Sequence, residues 1–221
     1  MGVPVPIFPL GMVLFPGLPL SLHIFEDRYR QLVQHLLDLD DDERCLGVVA
    51  IRDGYEVGDL AVHSAHRVGC EAVLSEVRER RDGRFDIEVV GRRRLRVDGM
   101  DESRPYLVGD VTYLDDADGE GADAAAAKAL AAFQGYRERL AQMQRTEIEA
   151  ADLPDDPLML SYALAAGGLF MLGDRQALLE DLDAASRLHR LARLLRSETA
   201  AMTALPSLPA TEVARTGWSP N

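Results

Sequence analysis

Side chains suited to chemistry are few in this chain of 221 residues, and they stand far apart. His63, His66 and Cys70 are close enough in sequence to share a metal. A structural zinc site wants four ligands, and a catalytic one wants three plus an open position. Here the set falls short, and Cys70 lies in a stretch that reads as a strand. No metal is expected. His35 and His189 have no serine or cysteine partner in a recognisable arrangement, and no Gly-x-Ser-x-Gly elbow occurs. Hydrolase chemistry therefore has no support.

Two charged clusters have bland readings to set beside functional ones. Glu26, Arg28, Tyr29 and Arg30 are dense enough for an active site, yet Glu26 and Arg30 stand four apart. On a helix that spacing makes a surface ion pair, and Tyr29 leads an apolar stripe. The stretch GRRRLRV, Gly91 to Val97, reads as the one basic run of the chain. Alternation in a strand puts Arg92, Arg94 and Arg96 on one face and Arg93, Leu95 and Val97 on the other. Three guanidinium groups in a row could meet phosphate. The net charge of −13 disfavours a general polyanion binder, and abundant carboxylates supply local partners for the arginines. Nucleic acid is thus the weaker expectation, with Arg92, Arg94 and Arg96 as its contact residues. Arg94 has a second use open to it, locking the fold through backbone carbonyls.

The surrounding elements must position whatever function there is. Hydrophobic residues make up 47% of the chain, enough for a sizeable core. Only Cys45 and Cys70 are present, both in strand-like segments, so a disulfide scaffold is not expected and a reducing cytoplasm fits. The apolar start lacks a basic n-region and is cut by Pro4, Pro6, Pro9, Pro16 and Pro19, so it does not read as a signal peptide. No apolar run reaches the roughly 20 residues of a membrane span.

Val3 to Phe8 and Leu18 to Ile24 read as strands bounded by Pro and Gly. From Tyr29 the period changes, and Tyr29, Leu32, Val33, Leu36 and Leu37 form a helical stripe preceded by Glu26 and Asp27. Strands resume at Cys45–Ile51, Val68–Val77, Phe85–Val90, a stretch ending near Asp98-Gly99, and Tyr106–Leu114. Asp53-Gly54 and Asp82-Gly83 serve as hairpin turns. The acidic stretch DDADGEGAD, 115–123, reads as a linker. Beyond it everything is helical. A long helix should run from Ala124 to about Ala150 with Leu130, Phe133, Tyr136, Leu140 and Met143 along one side. Asp155-Asp156-Pro157 is a helix start with Asp as N-cap and Pro in the first turn, Asp174 and Asp183 are candidate N-caps of two more helices, Gly167-Gly168 is a stop, and the last helix carries Leu188, Leu191, Leu195 and Met202. The expected class is α+β: a mostly antiparallel barrel with one helix over 1–114, the linker over 115–123, a helical bundle over 124–203 and a Pro-containing tail over 204–221 with Trp218.

The opening stretch PIFPLGMVLFPGLPLSLHIFEDRYRQLV resembles the start of the substrate-binding, N-terminal domain of Lon-type ATP-dependent proteases, and more closely its stand-alone bacterial relatives; cereblon shares the module. The resemblance rests on Pro9-Leu10, Phe15-Pro16-Gly17, Pro19-Leu20 and Phe25-Glu26-Asp27-Arg28-Tyr29-Arg30, with Asp27 where such chains often have Pro. It continues through Val68–Ala72, Asp82–Arg84, Gly91–Val97, Pro105–Leu107 and Asp174–Leu191, and so covers the chain to about Glu198.

What the resemblance implies is a barrel related to the RNA-binding PUA fold, a helical bundle after it, and a part in selecting protein substrates. The rest of a Lon protease has no counterpart here. No Gly-x-x-x-x-Gly-Lys-Ser/Thr loop occurs, and the one lysine, Lys128, stands in an Ala-rich run, a poor place for the desolvated base of a Ser-Lys dyad. The expectation is a non-catalytic module without cofactors that captures exposed or extended polypeptide and works with a separate protease or chaperone. The expected contact is an exposed apolar patch beside a strand edge, drawn from Leu10, Met12, Phe15, Pro16, Leu18 and Phe25.

Overall fold

A computed structural model describes residues 2–52, 64–144 and 152–204. In chain order they form β1 Val3–Leu10, β2 Pro19–Ile24, α1 Asp27–Leu37, β3 Cys45–Ile51, β4 Ala65–Glu79, β5 Phe85–Asp101 and β6 Val108–Tyr113. The helices α2 Ala122–Gln144, α3 Pro157–Gly167, α4 Leu172–Glu180 and α5 Ala184–Ala204 follow. Two units result: residues up to Asp115 together with Leu172–Leu179, and Asp116–Met171 together with the chain from Glu180 onward. Asp53-Gly54, His63, the expected end of the long helix and the tail with Trp218 lie outside the described residues.

The six strands of the first unit are ordered β2-β5-β4-β3-β1-β6, and β6 pairs again with β5. Five strands therefore close a ring while β2 stands outside it, so the sheet is not the clean barrel expected from the sequence. The β1–β3 pair is parallel and the other pairs are antiparallel. Two bulges let β5 serve both parts of this sheet. Arg92 is left over between Gly91↔Ala72 and Arg93↔Glu71, and Asp98 between Val97↔Val111 and Gly99↔Asp110. A bulge bends its strand, and the added residue switches which face the following side chains take. Before Arg92, Phe85, Ile87 and Val89 pack with Tyr29, Leu32, Val33 and Leu36 of α1; after it, Leu95 and Val97 pack with Val5, Ile7, Val49 and Val111. Asp98-Gly99 is thus a bulge within a strand, where the sequence suggested a strand end.

Turn chemistry shapes the opening segment. Leu18 donates to the Phe15 carbonyl at 3.3 Å, with Pro16 and Gly17 between and Gly17 at φ 80°, the requirements of a type II turn. This turn lies across β5. Gly17 donates to the Gly91 carbonyl at 2.8 Å, and a side chain at Gly91 would overlap the Phe15 carbonyl. Asp82-Gly83 departs from the expected two-residue hairpin turn. Gly83 donates to the Arg80 carbonyl and Arg80 to the Arg84 carbonyl, which defines a three-residue loop closed by left-handed Gly83 at φ 75°.

Helix α1 begins at Asp27, so Glu26 is its N-cap, with extended backbone. The i,i+4 geometry expected of Glu26 and Arg30 is lost for that reason: Arg28 pairs with Glu26 at 2.7 Å and Arg30 with Asp27 at 2.9 Å. Leu37, expected in the buried stripe, is exposed at the helix end.

In the second unit α2, α3 and α5 pack against one another in pairs. Asp156 caps α3 by accepting from Met159 N at 2.9 Å, Gly168 follows its last residue, and Asp183 accepts from Ser186 N at 2.7 Å at the start of α5. The cap of α4 is Met171, which leaves Asp174 inside the first turn. Arg187 of α5 is wholly buried. It donates to Ser161 Oγ at 2.8 Å and the Asp181 carbonyl at 3.2 Å, and lies over the Tyr162 ring at 4.1 Å.

Candidate functional site

The residues singled out in the opening segment divide by depth. Phe15 (1% exposed) and Pro16 are buried, because the turn they form is pressed onto β5, so neither belongs to an exposed patch. Leu10, Met12 and Leu18 are half-buried, and Leu10 and Leu18 rest on the core cluster beneath α1. Phe25, at 42% exposed, is open to solvent beyond the end of β2 and stacks on His23 with ring centroids 6.2 Å apart.

Leu20 and Leu22, which the sequence reading did not place in the patch, adjoin these residues. They share with Leu18 the face of β2 turned to the core and are only half-buried there. Among the described residues β2 pairs with β5 alone, in the register Pro19↔Val90 to Ile24↔Phe85. Gly91 donates to the Leu18 carbonyl at 2.9 Å. From that bond the antiparallel alternation turns the backbone groups of Leu20, Leu22 and Ile24 toward β5 and those of Ser21 and His23 outward. The edge so formed offers backbone donors and acceptors beside a margin of leucine. The signal in the sequence was the alternation of PLSLHI itself, with a proline at the first position, where it blocks no ladder bond.

His23 and Asp86 sit opposite each other on β2 and β5, with His23 Nδ1 2.7 Å from the Asp86 carboxylate and Arg80 2.6 Å from its other oxygen. Hydrogen bonds from His23 and Arg80 hold the Asp86 carboxyl below the usual carboxylate range.

The strand Gly91–Val97 shows no row of free arginines. Arg92 is the exposed bulge residue. Arg94 is buried and donates to the carbonyls of Leu179 and Asp115, each at 3.0 Å, which is the backbone lock rather than a phosphate contact. Arg96 pairs with Asp98 at 2.8 Å. On the opposite face Arg93 binds buried Glu71 at 2.7 Å and lies over the Tyr113 ring at 3.3 Å, while the Tyr113 hydroxyl donates to Glu71 at 2.5 Å. Burial and the neighbouring Glu71 carboxylate push the Tyr113 phenol up to about 12. The other groups first considered for chemistry do not converge. Cys70 is sealed in the core, and burial raises the Cys45 thiol, the opposite of nucleophile activation. Among the described residues no group of three His, Cys, Asp or Glu side chains could hold a metal.

The chain belongs to the family of the ATP-dependent protease La (LON) substrate-binding domain, whose model matches residues 4–197. Particular relatives bear this out. The chain is 22% identical to the Lon protease of Escherichia coli K12 over 199 residues, 89% of this chain and 25% of that one. It is 30% identical to the Lon protease of Parabacteroides distasonis over 118 residues, 52% of this chain and 14% of that one. The chain thus spans about a quarter of the length of the first Lon proteases it matches. A crystal structure of a Lon N-terminal domain protein from Xanthomonas campestris is similar at TM-score 0.62 and 26% identity, covering 86% of this chain and 98% of that one. The N-terminal domain of a Mycobacterium avium complex Lon protease shares the fold at TM-score 0.63 and 18% identity, over 90% of this chain and 98% of that one.

Proposed function

We propose that this substrate-binding domain acts as a non-catalytic module that captures extended polypeptide along the open edge of β2 and passes it to a separate protease or chaperone. One observation carries the reading: a strand with a single partner among the described residues, its outward backbone groups flanked by half-buried Leu18, Leu20 and Leu22 and by exposed Phe25. Strand addition suits unfolded clients because backbone pairing is indifferent to sequence while a shallow apolar margin adds preference. The same reading takes the first unit as PUA-like and the helices after it as a bundle that recruits the partner.

Binding of a reduced, carboxymethylated model protein to the full chain tests this at low and high salt. Ser21→Pro removes an outward donor, and Phe25→Ser removes the exposed ring. Each variant is expected to weaken binding about tenfold while the far-ultraviolet spectrum and melting temperature stay near those of the parent. Unchanged affinity in both variants overturns the edge as the site. Salt-sensitive binding of an RNA pool, without binding of the unfolded protein, would favour the PUA-like surface as an RNA contact instead.

A further inference from the structure

We infer that the β2 edge selects extended chains in which carboxylates flank an apolar stretch, the carboxylates being read by the β4–β5 hairpin. This rests on β2 as the binding edge. From Arg78 to Arg84 the hairpin holds four arginines against two acids, a local reversal in a chain of net charge −13. It walls an open recess of about 530 Å³ lined by Arg78, Glu79, Arg80, Arg81, Asp82 and Asp86. Arg80 is engaged by Asp86, and Arg84 leans on Asp82 at 3.4 Å. Arg78 and Arg81 have no carboxylate partner among the described residues. A further guanidinium reaches the same turn from α1. Arg30 Nη2 lies where a Cβ on Gly83 would stand only 2.7 Å away, and Arg30 Nε is shielded from solvent with no hydrogen-bond partner among the described residues.

Register joins this recess to the edge. Arg78 sits opposite Asp86 and Asp86 opposite His23, so the three form one row across β4, β5 and β2. The row crosses β2 at the end that leads to Phe25. A chain laid along β2 therefore runs from the leucine margin at Leu18–Leu22 toward the hairpin end of the sheet, where Arg78 stands two strands in from that edge. Antiparallel addition, the more stable pairing, sets the incoming N-terminal residues at that arginine end. The preferred client is acidic first and apolar second. Exposed arginine–carboxylate pairs are individually weak, so two or three of them give about fivefold in affinity, and less as salt rises.

The test is fluorescence anisotropy of the full chain with three peptides: acidic-then-apolar, apolar-then-acidic with the same composition, and a version with Gln and Asn in place of the acids. The acidic-first peptide is expected to bind about fivefold tighter than the neutral one at low salt. That advantage should vanish in an Arg78→Ala/Arg81→Ala variant whose melting temperature is unchanged, while neutral-peptide affinity stays put. Equal affinity for all three peptides overturns the charge selection and leaves the edge standing. Failure of every peptide, or indifference of the neutral peptide to Ser21→Pro, overturns the edge reading beneath it. RNA binding that the arginine double variant abolishes, with no peptide preference, would reassign the recess to nucleic acid.

Discussion

Two arginine-rich stretches share one pair of strands, and the fold uses them in opposite ways. Around Gly91–Val97, Arg93, Arg94 and Arg96 are engaged by Glu71, by two carbonyls and by Asp98. At Arg78–Arg84 only Arg80 and Arg84 meet carboxylates among the described residues. Density of charge in the sequence would rank the first stretch higher as a binding surface. Burial accounts for Arg94, because a guanidinium taken out of water must find acceptors inside; Arg93 and Arg96 stay partly exposed and are held by neighbouring carboxylates, whereas Arg78 and Arg81 at the hairpin keep their solvent.

Substitutions at the two stretches test this contrast, and the largest effect belongs at Arg94. Arg94→Met leaves the Leu179 and Asp115 carbonyls without their donor, and we expect denaturant unfolding to show a loss of about 2–4 kcal/mol. A loss under 0.5 kcal/mol would mean those carbonyls find water and the lock is dispensable. Glu71→Gln comes next, at about 1–3 kcal/mol, since it removes the charge from bonds to Arg93 and Tyr113. An ultraviolet titration reads the same cluster. Tyr113 should ionise late, near 12. The fold favours its protonated phenol, so that contribution is whole below the ordinary value of 10 and is lost as pH climbs toward 12. In Glu71→Gln the late step should move back toward 10. The smallest effect is expected of Arg78→Ala/Arg81→Ala, within about 0.5 kcal/mol of the parent. A large loss there would erase the contrast.

The sequence showed some of this well and some of it badly, for physical reasons. Cys45–Ile51 was legible to the residue because a seven-residue apolar run with Val48, Val49 and Ile51 is too short for a buried helix and suits a strand covered on both faces. The Asp156 and Asp183 caps were legible because capping is a local bond. The bulge at Arg92 was not, since an inserted residue leaves no mark in composition and yet moves Arg94 under a carbonyl 85 residues away. The hairpin recess was missed because Glu79 and Asp82 interrupt its arginines in sequence, although Arg84 draws Asp82 toward itself. Phe15 was placed among surface candidates for its apolar neighbours; the turn it shares with Gly17 drives it inward.

The placing of Leu172–Leu179 in the first unit bears on how the chain comes off the ribosome. Arg94 and the Val68 carbonyl wait for Leu179 and Gln176, which are made 85 and 108 residues later. At about 5–20 residues per second the strands spend several seconds complete in sequence but incomplete in structure. During that interval the open edge of β2 is not the only unsatisfied strand surface, and a nascent chain of this protein is itself a candidate for the capture proposed for the finished one. A stop codon placed after Asp115 should therefore yield a product that aggregates, while one placed after Ala204 should not.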